Sequence, residues 1–225
     1  MKKLILILAA LVIVGCQAPP QKSPEPGTSP APVKANLKTL TAMGDSLTEG
    51  LGVDPNDSYP AQLERKLQAD GMAWKVVNAG LSGETSSGAL TRLPWVLKTK
   101  PDAVLLVIGA NDGLRGVDPA LTKRNLEALV DQLQAQHVDV MLGGMLALPN
   151  LGADYASKFD GIYPEVAKEK GVPLIPFFLE GVARDPALNQ EDGKHPTAKG
   201  YAKVVEQIYP QVKGWLNGVK VEREK

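Results

Sequence analysis

Residues that bind metals or form disulfides are scarce in this chain of 225 residues. It contains one cysteine, Cys16, and two histidines, His137 and His195. One cysteine excludes a disulfide within the chain, and these three residues form no cluster with the spacing of a metal site. The sequence therefore predicts neither a metal centre nor a cofactor.

The chain also lacks an excess of charge of either sign, because 25 Lys and Arg residues balance 25 Asp and Glu residues. Without a basic stripe, the sequence does not indicate nucleic-acid binding. A phosphate-binding loop of the form G-x-x-x-x-G-K-[S/T] is missing, which argues against a nucleotide-binding protein. A length of 225 residues with 44% hydrophobic residues fits one α/β domain, and we expect a monomer.

The first residues have the layout of an export signal. Two lysines are followed by an apolar run at residues 4–14, which is too short to span a bilayer but suits the core of a signal peptide. The run ends in Ile13-Val14-Gly15-Cys16, which resembles the lipobox of bacterial lipoproteins. That resemblance implies a signal peptide at residues 1–15 and lipidation of Cys16. The alternative is an ordinary secretory leader with an incidental cysteine.

The segment that follows, residues 16–36, is rich in proline and has few side chains that could be buried. We expect it to be a disordered linker between the lipidated Cys16 and a folded domain at residues 37–219, with a charged tail at residues 220–225. An acylated N-terminus would place the protein in the bacterial cell envelope, at the outer membrane and periplasm if the source is Gram-negative. The membrane would then be a partner through the lipid anchor.

From residue 37 onward, short apolar runs alternate with longer segments of helical spacing. The apolar runs predict five strands, at residues 37–43, 74–79, 103–108, 138–146 and 172–178. Helices are predicted at residues 59–69, 86–98, 121–136, 155–170 and 197–216. This alternation indicates an α/β protein with a five-stranded parallel sheet and helices on both faces.

Glycines and polar residues follow four of the five predicted strands. Gly-Asp-Ser follows the first strand at residues 44–46, and the second and third are followed by residues 80–84 and 109–113. A later loop beyond the fifth strand carries Asp-Gly-Lys-His-Pro at residues 192–196. Because ligands of open α/β sheets bind beyond the carboxyl ends of the strands, these loops are expected to form the functional site.

These loops resemble the four blocks that give the GDSL/SGNH family of esterases and lipases its name. The matching residues are Ser46 in GDSLT, Gly83 in NAGLSGETS, Asn111 in GANDGLRG and His195 in DGKHP. The resemblance covers residues 37–216 and is strongest to the bacterial thioesterase/lysophospholipase and arylesterase branch. It implies a flavodoxin-like three-layer sandwich and an oxyanion hole formed by the backbone N–H groups of Ser46 and Gly83 and the side-chain amide of Asn111.

The residues themselves also indicate nucleophilic catalysis. The hydroxyl of Ser46 needs a neighbouring base, and neutral imidazole suits that role. His195 is the better candidate, because His137 ends a predicted helix, where a surface position is expected. Asp192 precedes His195 by three residues, so one turn would let its carboxylate accept the Nδ1–H and orient the ring. Asp45 is adjacent to Ser46 but would point elsewhere, and a supporting role in the loop is expected.

Substrate choice must come from the loops around Ser46. Leu114, Leu148 and Pro149 could line an apolar cleft that binds an acyl chain or an aromatic group. Arg115 could bind a charged head group, or it could hydrogen-bond to loop carbonyls. We therefore expect fatty-acyl or aryl esters or thioesters, with small molecules or lipids as substrates. The alternatives are a carbohydrate O-deacetylase of the same fold and a ligand-binding lipoprotein without activity.

Overall fold

A computed structural model describes residues 37–220, except for the side chain of Pro149. The signal peptide, the linker with Cys16 and residues 221–225 of the tail lie outside the described residues, and the predictions about them remain predictions. The described part contains a parallel sheet in the order β2-β1-β3-β4-β5. Its strands are β1 (Lys38–Gly44), β2 (Trp74–Gly80), β3 (Ala103–Val107), β4 (Asp139–Gly143) and β5 (Leu174–Ile175).

Helices connect the strands. They are α1 (Ser46–Glu49), α2 (Tyr59–Ala69), α3 (Ser86–Leu97), α4 (Ala110–Leu114), α5 (Pro119–Gln134), α6 (Ala153–Asp160), α7 (Ile162–Lys170) and α8 (Ala198–Gly218), with short 3-10 turns at Pro55–Asp57 and Pro149–Leu151. Helix α2 packs against α8, while α3, α5 and α7 pack side by side. The sheet lies between these two helical layers, which confirms the three-layer α/β fold expected from the sequence.

The core lies between the sheet and the helices. All five side chains of β3 are buried, because a central parallel strand is covered by helices on both faces. Helix α2 buries Tyr59, Leu63 and Leu67 at helical spacing, and the ring of Tyr59 meets that of Phe178 edge to face at 4.9 Å between centroids. The apolar periodicity of the sequence thus corresponds to the buried face of each element.

One predicted helix is two helices in the structure. Residues 155–170 were expected to be continuous, but α6 ends at Asp160 and α7 begins at Ile162. Pro164 explains the break, because it has no N–H to donate to the carbonyl of Asp160 and its ring would clash with that carbonyl in a continuous helix. The carboxylate of Asp160 accepts the N–H of Ala147 at 2.7 Å, which fixes the break beside the loop after β4.

The last two strands are shorter than predicted. β5 contains only Leu174 and Ile175, because Pro173 and Pro176 on either side cannot donate to a neighbouring strand. β4 ends at Gly143, after which the chain turns toward the loop beyond β5. There the N–H of Gly144 donates to the carbonyl of Ile175 at 2.8 Å.

The two ends of the described chain meet at the amino end of the sheet. Lys38, the first residue of β1, donates through Nζ to the carbonyl of Val219 at 3.0 Å and lies over the ring of Trp74 at 5.4 Å from its centroid. In residues 37–220, none of the helices is long and apolar enough to cross a membrane.

Candidate active site

Helix α1 lies directly on the carboxyl ends of two strands, which places Ser46 at the centre of this edge. The close approach requires glycine at two positions. An added Cβ at Gly44 would lie 2.2 Å from both the Thr48 hydroxyl and the carbonyl of Val107, and one at Gly80 would lie 2.1 Å from the backbone nitrogen of Glu49. The glycines that end β1 and β2 therefore allow the serine loop to fold onto the sheet.

Ser46, His195 and Asp192 form a continuous hydrogen-bonded chain. The Oγ of Ser46 lies 2.8 Å from Nε2 of His195, and the Nδ1 of His195 lies 2.5 Å from Oδ2 of Asp192. The sequence predicted this set, and the structure brings all three residues together although Ser46 is 149 residues away from His195. A serine, an imidazole and a carboxylate in this order are the arrangement that activates a hydroxyl as a nucleophile.

Asp192 is held by its own turn. Its Oδ1 accepts the backbone N–H groups of Lys194 at 2.9 Å and His195 at 3.0 Å, which leaves Oδ2 for the imidazole. Burial alone would raise the pKa of Asp192, but the hydrogen bonds from the imidazole and these backbone N–H groups hold it well below its usual range. The carboxylate therefore stays ionised and fixes the ring orientation of His195.

Gln190 connects the histidine loop to the serine loop, and the sequence analysis did not identify it. Its Nε2 donates to the carbonyl of Leu51 at 2.7 Å and to that of Pro196 at 3.0 Å. Leu51 follows the helix that begins at Ser46, while Pro196 follows His195. One amide group therefore sets the distance between the two loops, and no local sequence pattern marks such a long-range contact.

The three residues predicted to supply the oxyanion donors line one cleft. Within residues 37–220, the backbone N–H groups of Ser46 and Gly83 donate to no protein acceptor. Gly83 has a φ of +76°, a conformation that glycine adopts without strain. Both residues line the same cleft as Asn111. The Nδ2 of Asn111 donates to the backbone carbonyl of Glu84 at 3.0 Å and to Oδ2 of Asp45 at the longer distance of 3.3 Å.

Asp45 supports the serine loop, as the sequence predicted. It is 1% exposed, and its Oδ1 accepts the N–H of Leu47 at 3.0 Å, which caps α1. Burial raises the pKa of Asp45 to about 6, against the opposing effects of the Leu47 N–H, His195 and the Asn111 amide. The Asp45 carboxyl thus contacts Asn111 rather than the imidazole.

Glu84 and Arg92 form an ion pair beside this site that the sequence analysis did not identify. The guanidinium of Arg92 donates from Nε to Oε1 of Glu84 at 2.7 Å and from Nη2 to Oε2 at 2.5 Å. Nη2 also donates to the carbonyl of Ala79, at the end of β2, at 2.9 Å. The side chain of Glu84 is 2% exposed and that of Arg92 is 17% exposed. Both charges are largely removed from water and matched in bidentate geometry.

A second buried polar group connects Asn111 to the helices behind it. The carboxylate of Asp112 accepts the N–H of Ser86 at 2.8 Å and its hydroxyl at 2.5 Å, and Thr122 donates to the same carboxylate at 3.3 Å. Asp112 and Ser86 are fully buried. The helix that carries Asn111 is thereby attached to the first turn of α3.

A cleft of about 890 Å³ opens above Ser46. Its volume is in the range of sites for small molecules. Leucines occupy much of its wall, and several of them are partly exposed at the mouth: Leu51, Leu114, Leu146 and Leu148, with exposed fractions of 43%, 41%, 48% and 37%. Charged groups are also present in the lining, including Asp160, Glu180, Arg184 and Lys194. A long apolar group could thus lie beside the serine while a polar group stays near the rim.

The other residues singled out in the sequence occupy different positions. Leu114 and Leu148 line the cleft, whereas Arg115 donates from Nη2 to the carbonyl of Gly83 at 2.9 Å. Of the two roles considered for Arg115, this contact corresponds to the hydrogen bond with a loop carbonyl and not to the binding of a charged head group. The side chain of Pro149 lies outside the described part. His137 is exposed after α5. Within residues 37–220, no group of three or more His, Cys, Asp and Glu side chains has the geometry of a metal site.

Comparison with known families identifies the class of protein. Residues 42–203 match the GDSL-like lipase/acylhydrolase family, and the chain belongs to this family. The match covers the serine, glycine, asparagine and histidine blocks around the cleft. Membership confirms the family expected from the sequence and the class of enzyme, a carboxylic ester hydrolase.

Two curated relatives cover most of the chain. It is 38% identical over 184 residues to "Esterase TesA" of Pseudomonas aeruginosa, which corresponds to 81% of this chain and 92% of that protein. It is 37% identical over 184 residues to "Thioesterase 1/protease 1/lysophospholipase L1" of Escherichia coli K12, with 81% of this chain and 87% of that protein covered. The name of the second relative agrees with the thioesterase/lysophospholipase branch that the sequence motifs indicated.

A solved structure has the same fold. The SGNH-hydrolase family esterase AlinE4 is similar with a TM-score of 0.69 at 41% identity, covering 82% of this chain and 99% of that one. The prediction of an SGNH hydrolase fold is therefore confirmed.

Proposed function

We propose that this protein hydrolyses acyl esters or thioesters through a covalent acyl-enzyme on Ser46. The observation that carries the proposal is the uninterrupted contact from the Ser46 hydroxyl to the His195 imidazole and the Asp192 carboxylate, at 2.8 Å and 2.5 Å. Family membership supports the same chemistry. The proposal goes beyond the class of enzyme in two respects. It states that the substrates carry fatty-acyl or aryl groups, and it assigns a role to each residue.

In the first step, Oγ of Ser46 attacks the carbonyl carbon of the ester while Nε2 of His195 takes the hydroxyl proton. Asp192 keeps the Nδ1–H of the ring pointed at its own carboxylate, so that Nε2 carries the free lone pair. The imidazolium that forms lies against an ionised carboxylate, which stabilises it. Ser46 is 8% exposed and lines the cleft, where a bound ester can reach it.

The attack converts the carbonyl oxygen of the substrate into an oxyanion. The N–H groups of Ser46 and Gly83 are available to donate to it, and the amide of Asn111 is the third donor. Both contacts of Nδ2 of Asn111 are with protein acceptors, and the contact with Asp45 at 3.3 Å is the weaker one. The oxyanion would compete with that contact, while the bond to the Glu84 carbonyl keeps the amide in place.

The tetrahedral intermediate then collapses, the bond to the alcohol or thiol breaks, and the leaving group takes the proton from Nε2 of His195. A water molecule attacks the acyl-enzyme by the same route in reverse, with His195 as the base, and releases the carboxylic acid. Each proton taken from a nucleophile is thus returned to a leaving group. The cycle consumes one water molecule per ester.

The apolar cleft supports substrates with an extended acyl or aryl group. If Leu148 contacts that group, Leu148→Ala should raise KM for p-nitrophenyl octanoate more than for p-nitrophenyl acetate, because only the longer chain loses apolar contact. Leu121→Ala is the matched control, since Leu121 is 36% exposed and does not line the cleft. An equal change of KM for both esters would count against this placement of the acyl chain.

The nucleophile is tested by Ser46→Ala. The variant should retain the circular dichroism spectrum and cooperative unfolding of the protein, and its hydrolysis of p-nitrophenyl esters should fall by about 10³-fold or more. Thr48→Ser changes a hydroxyl residue of the same helix and is the control that should keep activity. Hydrolysis that survives Ser46→Ala at the original rate would refute the assignment.

We also propose that the protein is a lipid-anchored component of the bacterial cell envelope. This proposal rests only on the sequence: the apolar run at residues 4–14, the lipobox-like Ile13-Val14-Gly15-Cys16 and the proline-rich linker. Metabolic labelling with an alkyne analogue of palmitate should modify the full chain but not its Cys16→Ser variant. Equal labelling of both chains would refute lipidation at Cys16.

A further inference from the structure

The oxyanion donors depend on one short loop. Residues 81–85 provide the N–H of Gly83, and the carbonyl of Glu84 accepts the side-chain amide of Asn111 at 3.0 Å. Two of the three donors are therefore positioned by two consecutive residues. Any movement of the Glu84 backbone would displace the Asn111 amide directly and the Gly83 N–H through the chain.

Besides Asn111, three side chains hold this loop, and they bond to three consecutive residues of it. Glu49 accepts the N–H of Ser82 at 2.9 Å as well as its hydroxyl, Arg115 donates to the carbonyl of Gly83 at 2.9 Å, and Arg92 forms the bidentate ion pair with Glu84. The first two contacts are exposed, and exposed polar contacts constrain a loop weakly. The contact of Arg92 differs because its partner Glu84 is buried.

Arg92 also connects the loop to the rigid part of the fold. It projects from α3, and its Nη2 bonds to both Glu84 and the carbonyl of Ala79 in β2. Gly88 in the first turn of α3 lies so close that an added Cβ would be 3.2 Å from Cγ of Glu84. The Glu84 side chain is therefore fixed between a helix and a strand end, and its backbone carbonyl has little freedom to move.

From these contacts we infer that Arg92 is a positioning residue for the oxyanion hole, acting through Glu84 on the amide of Asn111. The inference deepens the proposed function and rests on it. Arg92 lies outside the lining of the cleft, so its effect would pass through the Glu84 carbonyl. Because the oxyanion is absent from the bound substrate and forms only in the tetrahedral intermediate and the transition states around it, loss of this alignment should lower kcat and leave KM nearly unchanged.

The test compares Arg92→Ala and Arg92→Lys in steady-state hydrolysis of p-nitrophenyl butyrate. Removal of one oxyanion donor typically costs ~10²-fold to 10³-fold in kcat, so we expect a loss of about 10-fold to 100-fold for Arg92→Ala, with KM within about twofold. Arg92→Lys keeps the charge but not the planar fork, and it should lose an intermediate amount. A kcat within about twofold of the original for both variants would overturn the inference, as would a loss confined to KM.

A double-mutant cycle with Asn111→Ala separates positioning from general stability. If Arg92 acts through Asn111, Arg92→Lys should cost much less kcat in the Asn111→Ala background than in the original chain. Equal losses in both backgrounds would overturn the inference. Leu133→Ala is the matched control, because it removes a buried contact at the end of α5 remote from the cleft. It should lower the midpoint of thermal unfolding and leave kcat unchanged.

Failure of this inference can be distinguished from failure of the proposed function. Activity that survives Ser46→Ala removes the proposed function, whatever the Arg92 variants do. If Ser46→Ala is inactive and the Arg92 variants are fully active, the proposed function stands and only the positioning role of Arg92 is refuted. If Arg92→Ala does not fold, Arg92→Lys and its cycle with Asn111→Ala decide the question.

Discussion

The buried carboxyl of Asp45 leads to a stability prediction that depends on pH. Its pKa is about 6 in the folded protein, against 3.8 as the ordinary value. Between these two values the folded state holds a proton that the unfolded state has lost, so the free energy of unfolding falls as the pH rises through this window. Above about pH 6 the Asp45 carboxyl is ionised in the folded protein, and the full free-energy cost of burying its charge is present. The difference between the two pKa values corresponds to about 3 kcal/mol.

Asp45→Asn should remove this cost. The asparagine oxygen can keep the N–H of Leu47, but its NH2 group would face the amide nitrogen of Asn111, and loss of that hydrogen bond costs about 1 kcal/mol. We therefore expect the variant to be about 2 kcal/mol more stable than the original near pH 8. Near pH 4, where the original carboxyl is already neutral, it should be about 1 kcal/mol less stable.

Urea unfolding followed by tryptophan fluorescence at both pH values measures these differences. The contributions of other titrating groups to the free energy of unfolding largely cancel, because the two chains are compared at the same pH. Asp154→Asn is the matched control, since the side chain of Asp154 is 85% exposed and pairs only at the surface with Lys158. Its effect should stay below about 1 kcal/mol at both pH values. A stability difference for Asp45→Asn that is the same at the two pH values would refute the reasoning.

Three further predictions follow from the site and its supports. Asp192→Asn should lower kcat by about 10⁴-fold, because an amide no longer fixes the imidazole tautomer; steady-state kinetics would show this, and a loss under tenfold would contradict it. Hydrolysis by the original chain should be lost in acid, since a protonated imidazole cannot accept the Ser46 proton, and a rate that does not depend on pH would indicate another base. Gly109→Ala should lower the free energy of unfolding by about 3 kcal/mol or more, because φ at Gly109 is +113° and the new Cβ would lie 2.2 Å from the hydroxyl of Tyr163. Gly116→Ala, with φ of +63° and open space around it, is its control, and equal effects in urea unfolding would argue against the clash.

Much of the fold could be predicted because periodicity reports burial directly. The helix predicted at residues 59–69 has the same bounds in the structure, since Leu63 and Leu67 continue the buried stripe from Tyr59. The parallel arrangement followed from the alternation of strands and helices. The apolar pattern did not give the order of the strands, because the pattern within one strand does not reveal its neighbour.

The errors lie where one residue overrides a periodic pattern. Apolar side chains at Phe159, Ile162 and Val166 continue the helical spacing across the break after Asp160, so the pattern alone predicts one helix. Pro164 interrupts it through a missing N–H and a steric clash, neither of which changes hydrophobicity. Pro173 and Pro176 shorten β5 for a related reason, because they too have no N–H to donate.

The catalytic set could be predicted from the sequence better than its supports. Ser46 and His195 stand out because serine and imidazole have a chemistry of their own, and Asp192 is close to His195 in the sequence. Glu84, Arg92 and Gln190 are ordinary polar residues of loops and a helix, which are usually solvated. Their roles depend on partners distant in the sequence, such as Leu51 for Gln190, and only the folded chain reveals those partners.

The contact between Lys38 and Val219 has a practical consequence. Because strands in the sheet are parallel, the chain enters β1 at the edge opposite Ser46, and the seven residues of β1 separate the two edges by about 23 Å. The end of the last helix lies at the same far edge. A surface, resin or fluorescent protein attached at either end of residues 37–220 would therefore leave the cleft open. Since the two ends are neighbours, a short linker could join them, and new termini could be placed at an exposed loop such as the one around Gly71.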